Sequence, residues 1–343
     1  MKKTSLVLSK LIFAVNILMA VLLLITCILS FLTVQIFSLL SVLSLIVPFL
    51  FIINAMFVGY WLFRKKRKFL LSLIALLIGY LVFGSFYGIG NHNEESSTSD
   101  LKIMTYNTWG FNKNEWIKEP DIGNRIIEFI RKEDPDIICI QEHSRIRYKQ
   151  LSQYPYRTET PRSVPKRTTQ AIFSKYPIVG NGSLDLPETS NNIIYADILY
   201  KKDTLRVYNF HLQSFNIVPS SETFSEEESE KNYKRLVKTF KKQLDQAKIF
   251  VKHKETSPYR NIVCGDMNNT QFSNVYRVLR KDLQDTFLEK GKGFGRTYSL
   301  LGFPIRIDYT LADPAFEVIS HQNYNEKLSD HYPVMATLRL KSD

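Results

Sequence analysis

Residues 260–268 read RNIVCGDMN, a short apolar run that ends in a glycine, an acid and an amide. A run of this length and composition is typical of a buried strand, and Gly265 indicates a turn or a close backbone approach. Taken alone, Asp266 and Asn268 are most simply explained as turn residues. The same arrangement recurs along the chain, however, and that recurrence predicts the fold.

Other apolar runs also stop at side chains that bind metal or phosphate: Asn107 follows LKIMTY, Glu142 follows IICIQ, His211 follows RVYNF, Asp308 lies in RIDYTL, and Asp330-His331 precedes PVMATL. Each has a simpler explanation, such as a turn cap for Asn107, a solvated strand end for Glu142 or a hydrogen-bonded core histidine for His211. Asp308 is harder to dismiss, because a buried carboxylate is costly unless it is paired or metal-bound. Together they predict strand ends that converge on one mouth.

The remainder of residues 100–343 alternates short β-branched or aromatic runs with a few helical patterns. IGNRIIEFIRKEDP predicts one helix, and Phe240, Leu244, Ala247 and Phe250 recur at helical spacing in a second. Many strands with few helices predict a two-sheet core with helices outside it, an α+β arrangement.

The donor set at the predicted mouth favours a particular chemistry. Asp and Glu oxygens without cysteine suit Mg²⁺, with Mn²⁺ as the alternative, and adjacent Asn and His would hold a phosphoryl group and activate a water. The three cysteines, Cys27, Cys139 and Cys264, all lie in apolar runs and are expected to be buried, reduced thiols.

Seven segments carry a family resemblance: MTYNTWG, PDIICIQE, AIFSKYPI, YNFHLQS, IVCGDMN, RIDYTL and LSDHYPV. In order and spacing they resemble the motifs of the endonuclease/exonuclease/phosphatase superfamily, which has the deoxyribonuclease-I-like fold. The resemblance extends over about residues 101–340. It implies a four-layer α/β/β/α sandwich and divalent-metal-dependent hydrolysis of phosphate esters, with no organic cofactor.

The resemblance also implies roles for the individual residues. Glu142 would be the main Mg²⁺ ligand, Asn107 would lie beside the metal and the phosphate, and Asp330 would be a further acid near the metal. His211 and Asn268 would contact the phosphoryl oxygens.

The remaining residues concern the attacking water. Asp266 would orient or deprotonate it, His331 is the other candidate base, and Asp308 would hold His331 in one tautomer. Because adjacent side chains of an extended strand point to opposite faces, we expect His331 to pair with Asp308 and not with its neighbour Asp330.

The substrate is less determined than the chemistry. AP endonucleases have an acid where this chain has Trp109 and a tyrosine where it has His211, whereas NTWG and HLQS are more similar to neutral sphingomyelinases and small phosphodiesterases. Nucleic acid and a lipid or small phosphodiester both remain open, and no obligate protein partner is indicated. The alternative is a non-catalytic membrane receptor or scaffold, which would be expected to have degenerate motif positions.

Residues 1–90 differ in character from the rest. Three apolar runs without charged residues, Leu11 to about Leu32, about Ile36 to Phe63 and Phe69 to about Tyr87, predict three transmembrane helices that cross the bilayer. The domains predicted are thus an anchor over 1–90, a linker over 91–99 and a catalytic domain over 100–343.

The positions of the basic residues predict the orientation of this anchor. Lys2, Lys3 and Lys10 precede the first run, and RKKRK at 64–68 separates the second from the third. Lys and Arg are retained on the cytoplasmic side. We therefore expect an inner- or plasma-membrane protein with a cytoplasmic N-terminus and a periplasmic or extracellular catalytic domain.

Overall fold

A computed structural model describes residues 2–32, 38–90, 97–162, 167–216, 226–300 and 302–341. Residues 91–96 of the predicted linker therefore lie outside the described residues. The helices are α1 (Lys2–Leu29), α2 (Ser38–Ser41), α3 (Val47–Phe63), α4 (Phe69–Phe83), α5 (Ile122–Glu133), α6 (Glu226–Glu255), α7 (Asn274–Arg280) and α8 (Thr286–Lys290), with 3₁₀ turns at Val42–Ile46, Trp109–Asn112 and Arg145–Leu151.

The strands are β1 (Gly88–Ile89), β2 (Leu101–Asn107), β3 (Ile137–Gln141), β4 (Tyr156–Glu159), β5 (Ala171–Ser174), β6 (Ile178–Ser183), β7 (Asn192–Tyr200), β8 (Asp203–His211), β9 (Arg260–Asp266), β10 (Gln284–Asp285), β11 (Lys292–Gly293), β12 (Tyr298–Leu300), β13 (Phe303–Ile305), β14 (Asp308–Ala312), β15 (Phe316–Asn323) and β16 (Val334–Leu340). Two six-stranded sheets result, with the orders β10-β14-β9-β8-β7-β6 and β15-β16-β2-β3-β5-β4. The predicted two-sheet α/β sandwich is confirmed.

The apolar residues of the sandwich form three layers. Residues of both sheets, such as Ile103, Cys139, Val207 and Ile262, pack between the sheets. A second layer lies between one sheet and α6 with α7, and a third between the other sheet and α5. Cys139 and Cys264 are buried and unpaired, as expected.

The centre of each sheet is a parallel pair of strands, β2 with β3 and β8 with β9. The carboxyl ends of all four strands lie at the same end of the sandwich. Gly265 permits the closest approach in the second pair, because its φ is +133° and a Cβ atom there would lie 2.3 Å from the carbonyl oxygen of Phe210. The glycine of RNIVCGDMN is thus required beside the strand that ends at His211.

The N-terminal bundle, formed by α1, α3 and α4, differs from the prediction of three spans. Among the described residues two stretches are long and apolar enough to cross a membrane, Val7–Leu29 and Val42–Phe63. The prediction is wrong for the third run, because α4 has 15 residues, about 22 Å of helix, and ends at Gly84 with φ +78°. Beyond this glycine the chain pairs as β1 with β11.

The sandwich contacts the end of the bundle that lacks basic residues. Asn274 Nδ2 donates to the Leu32 carbonyl at 2.8 Å, and Arg277 Nη2 donates to the Val82 carbonyl at 2.8 Å. The Phe272 ring packs among the bundle residues. These donors satisfy carbonyls at helix ends, which have no partner within their own helix.

A buried ion pair lies next to this contact. Arg306 Nη1 is 2.7 Å from Asp285 Oδ2, and the second guanidinium nitrogen, Nη2, donates to Gln271, whose amide in turn donates to the Phe83 carbonyl at 3.1 Å. Burial alone would raise the pKa of Asp285, but Arg306 and the Tyr276 hydroxyl outweigh it and lower that pKa. The pair therefore connects the sandwich to the bundle.

We predict that Asp285→Asn lowers the free energy of unfolding by roughly 3–5 kcal/mol at pH 7, because it leaves the Arg306 charge buried without a counterion. The lowered pKa means that the difference is complete above pH ~4 and disappears as the pH falls further. Denaturant titration of both proteins measures it. Glu119→Gln, which breaks the exposed Arg125 pair, is the control and should cost less than about 1 kcal/mol; equal costs would contradict the prediction.

Candidate active site

The predicted site residues meet at one end of the sandwich, where they form the mouth: Asn107, Glu142, His211, Asp266, Asn268, Asp308, Asp330 and His331. His211, Asp266 and Asp308 are direct neighbours across β8, β9 and β14. Asn107 pairs with Gln141 at the ends of β2 and β3, which places Glu142 next. Parallel pairing and the antiparallel return of β14 and β16 bring all of them to the same edge.

Asp266 lies at the centre of the mouth. Its Oδ2 accepts hydrogen bonds from the side-chain amides of Asn107 at 3.2 Å and Asn268 at 3.1 Å. The Nε2 atoms of His331 and His211 lie 3.7 and 3.8 Å from the same oxygen. Burial raises the pKa of Asp266 to about 7, against the opposing effect of His331.

His331 is joined to Asp308 and not to its sequence neighbour. Its Nδ1 lies 2.9 Å from Asp308 Oδ2, whereas Asp330 Oδ1 lies 3.1 Å from the Ser329 hydroxyl oxygen. Burial alone would lower the pKa of His331, but Asp308 and Asp266 outweigh it and raise that pKa to about 10. A pKa this high makes His331 an imidazolium at neutral pH.

Glu142 and Asp330 lie on the other side of the mouth, with Asn107. Burial raises the pKa of Glu142, the Asp330 charge raises it further, and the Asn107 side chain opposes this by hydrogen bonding. Glu142 has φ +50°, a left-handed backbone that costs a non-glycine residue roughly 1–2 kcal/mol. Strain of this kind is characteristic of functional sites.

His211 is buried and uncharged. Its Nδ1 lies 3.3 Å from the Thr168 hydroxyl, and its Nε2 lies 3.9 Å from Glu142 Oε1. Burial, with the nearby His331 charge, lowers its pKa to about 3. The ring thus presents Nε2 to the space between Glu142 and Asp266.

Two sets of residues are candidates for a divalent ion. Among the described residues, Asp266, Asp308 and His331 have ligand atoms within 4.8 Å of one another. In that set Nδ1 of His331 is engaged by Asp308, and the imidazolium already supplies positive charge. Asn107, Glu142 and Asp330 fit a hard cation better, since their oxygen donors include two carboxylates that repel each other without a counterion.

Four residues that contact the mouth were not predicted from the sequence. Thr168 contacts His211, the Ser329 hydroxyl donates to the Asn107 carbonyl at 2.9 Å, and Thr297 accepts from the Asp308 backbone N–H at 3.0 Å. The Tyr298 ring lies 5.1 Å from the His331 ring. All four are uncharged residues of loops or short strands, which sequence patterns do not distinguish. Only Ser329 lies in a segment, LSDHYPV, that carries the family resemblance.

A comparison of the sequence with models of protein families identifies the part of the chain that contains the mouth. The model of the Endonuclease/Exonuclease/phosphatase family matches residues 104–331, which include all eight residues of the mouth. The chain belongs to the endonuclease/exonuclease/phosphatase family. Members of the family are typically hydrolytic phosphoesterases that use divalent metals. Residues 9–86 match a second model, a domain of unknown function (DUF8431).

Solved structures with the family's fold cover most of this chain. D. rerio TDP2 complexed with a single-strand DNA product is 17% identical, with a TM-score of 0.54 over 70% of this chain and 99% of that one. An endonuclease/exonuclease/phosphatase from Bacteroides vulgatus is 18% identical, with a TM-score of 0.52 over 71% and 99%. The human Nocturnin catalytic domain with bound sulfate is 18% identical, with a TM-score of 0.50 over 71% and 94%.

At these identities the likeness establishes the fold alone. Comparison with curated proteins gives no significant match.

The coupling of His331 to Asp308 gives a pH prediction for the metal-free protein. We expect the His331 ring to titrate near pH 10 by NMR in EDTA, and Asp308→Asn to lower that pKa, because the charge and the hydrogen bond of Asp308 are lost while burial still opposes protonation. The raised pKa stabilises the fold fully below pH ~6.5, and this contribution disappears as the pH rises to about 10.

His253, on α6, contacts Tyr208 and Tyr195, so it serves as the control for this experiment, and its pKa should not change in Asp308→Asn. Titration of His331 below pH ~6.5 in the wild-type protein would contradict the assigned pairing.

Proposed function

We propose that this protein is a membrane-anchored, divalent-metal-dependent phosphoester hydrolase, with its catalytic domain over 100–343 outside the cytoplasm and an anchor over 1–90. The observation that carries the proposal is Asp266 Oδ2, which lies within 3.8 Å of both imidazoles and accepts from both amides of the mouth. Such convergence of acid, base and amide donors on one point suits hydrolysis by an activated water.

Glu142, Asp330 and Asn107 would hold Mg²⁺ or Mn²⁺, because the charges of the two carboxylates act on each other and the Asn107 side chain hydrogen-bonds Glu142. A divalent ion bound there polarises a phosphoryl oxygen and neutralises the charge that develops on it. His211, whose Nε2 lies between Glu142 and Asp266, and Asn268 would hold the remaining phosphoryl oxygens by hydrogen bonds.

Asp266 is the better candidate for the base. Its pKa of about 7 lies near the pH at which a general base is most effective, whereas His331 is already protonated. Asp266 would take a proton from water, the water oxygen would bond to phosphorus, and one ester P–O bond would break. The leaving oxygen takes a proton from His331, so a diester yields a phosphomonoester and an alcohol.

The bundle supports insertion into a membrane. Only 28% and 22% of the most apolar windows of its two long stretches are buried within the protein, which is unlike the core helices of a soluble domain. Polar residues face inward instead, since Trp61 Nε1 donates to Asn16 Oδ1 at 2.8 Å and Asn16 Nδ2 donates to the Ser72 hydroxyl at 2.5 Å. Apolar outside with polar contacts inside is the pattern of helices packed in lipid.

A nucleic-acid substrate is the second candidate. Trp109, two residues after Asn107, stacks on the half-exposed Trp116 with ring centroids 4.1 Å apart, and such a platform accepts bases. A neighbour in fold, D. rerio TDP2, was solved with single-strand DNA. The third candidate, a non-catalytic receptor or scaffold, is disfavoured because all eight residues of the mouth retain chemistry-bearing side chains.

We predict that the full-length protein in nanodiscs hydrolyses a soluble chromogenic phosphodiester only with Mg²⁺ or Mn²⁺. Glu142→Ala and His331→Ala should each lower turnover by roughly 10²–10⁴-fold, the usual range for loss of a metal ligand or an acid–base group. Steady-state kinetics before and after EDTA measure both effects.

Glu128→Ala, on the exposed face of α5, is the matched control and should retain wild-type turnover. Metal-independent turnover, or activity that survives both substitutions in the mouth, would refute the proposed chemistry.

The orientation gives a separate prediction, which the three buried native cysteines make easy to test. A membrane-impermeant maleimide applied to intact cells should label Val179→Cys on the exposed face of β6, and should label Lys66→Cys only after permeabilisation. The wild-type protein supplies the background. The reverse pattern would place the sandwich in the cytoplasm.

A further inference from the structure

A strip of exposed apolar side chains lies between the mouth and the N-terminal bundle. We call this strip the lip and define it by five residues: Tyr87, Ile89, Phe294, Leu300 and Phe303. Their exposed fractions are 53, 89, 62, 36 and 56%, which is high for side chains of this size. Aromatic and aliphatic groups gathered in this way mark an interaction surface.

The lip is fixed to the bundle at the end that lacks basic residues. The Phe303 ring lies 5.6 Å from the ring of Phe49, in the first turn of α3, and the Tyr87 ring lies 5.1 Å from the Phe294 ring. Tyr87 comes four residues after the end of α4, so it lies within about 14 Å of that helix end. The lip is thus held at the height where the bundle leaves the bilayer.

The same segment reaches the catalytic centre. β12 and β13 form a hairpin in which Leu300 pairs with Phe303 at one end and Tyr298 with Ile305 at the other. Tyr298 contacts His331, and it lies only about 7 Å along the strand from Leu300. Leu300 of the lip is therefore separated from the residue that contacts His331 by about the depth of a lipid headgroup layer.

The charges beside the lip suit an anionic surface. Lys292, two residues before Phe294, is exposed. Arg296, two residues after it, lies over the Tyr332 ring at 4.0 Å. Cations next to interfacial aromatic residues are attracted to phosphate-bearing headgroups.

We infer that the lip rests in the bilayer surface and that the mouth acts on the phosphodiester of a membrane phospholipid in the same leaflet. The inference rests on the proposed hydrolase function for the choice of bond, whereas the position of the lip stands independently. A bilayer is the occupant that the structure favours, because Phe303 of the lip packs against Phe49 of the candidate span Val42–Phe63.

The position of the lip can be tested without any activity. Full-length protein carrying an environment-sensitive fluorophore at Phe303→Cys or Phe294→Cys is placed in nanodiscs of phosphatidylcholine and phosphatidylglycerol, with and without dibrominated chains. We expect bromine to quench both positions and to leave Val179→Cys unquenched. Equal fluorescence with and without bromine at both lip positions would overturn the inference.

The substrate class is tested by the ratio of two turnover rates, for the phospholipid of the same nanodisc and for a soluble chromogenic phosphodiester. Leu300→Ser with Phe303→Ser should lower this ratio roughly tenfold, because the substrate is no longer positioned at the mouth. Val179→Ser is the control and should leave the ratio unchanged.

The two arms separate the possible failures. If the wild-type protein hydrolyses neither substrate, the proposed function fails while the quenching result still stands. If it cleaves oligonucleotides or the soluble diester and leaves phospholipid intact, the lipid assignment is overturned and the hydrolase is retained.

Discussion

The parallel pairing of two central strands in each sheet is the constraint on which the rest of the protein depends. β2 with β3 and β8 with β9 direct four carboxyl ends to one edge. If either of these two pairs were antiparallel, one of its candidate site residues would lie at the far end of the sandwich. Buried polar contacts keep the two sheets in register behind that edge. Gln141 Nε2 donates to Asn209 Oδ1 at 2.7 Å, and Asn209 Nδ2 donates to the carbonyls of Ile140 and Ala171.

The mouth collects negative charge that the fold does not fully neutralise. Burial raises the pKa of Glu142, Asp266 and Asp330, so each of these carboxylates is held against its preference for water. The His331 imidazolium is the main internal counterion, and the apolar layers on both sides of each sheet hold the arrangement in place. Negative charge held in this way favours the binding of a cation with little rearrangement of the side chains.

The sequence was most informative where a residue type and a strand end coincide. Glu142, His211, Asp266 and Asp308 could be predicted because a polar residue after a buried run is unusual, and six related segments pointed the same way. Thr168 and Tyr298 could not be predicted, since no sequence pattern distinguishes uncharged site residues in loops or short strands. The Asp285–Arg306 pair was missed because its members are 21 residues apart and neither segment is unusual.

The third span shows a different limit. Apolar composition from Phe69 to Tyr87 indicated a crossing, but the positive φ of Gly84 and the pairing of β1 with β11 end the helix early. Composition reports how far apolar residues extend, whereas backbone geometry decides how far the helix extends. The roles of the individual mouth residues likewise rest on the family resemblance, because distances establish proximity and not function.

The contact between sandwich and bundle has a consequence for fragments of this protein. A fragment that begins at residue 100 would keep every residue of the mouth. It would, however, lose β1, the partner strand of β11, and it would expose the Phe272 ring. It would also lack the carbonyls that Gln271, Asn274 and Arg277 bind. If such a fragment were inactive, the lost contacts with the bundle would explain the result, because every residue of the mouth would still be present. An unrelated anchor joined at residue 100 would not restore these contacts, because the carbonyls of the native bundle that the sandwich binds would be missing.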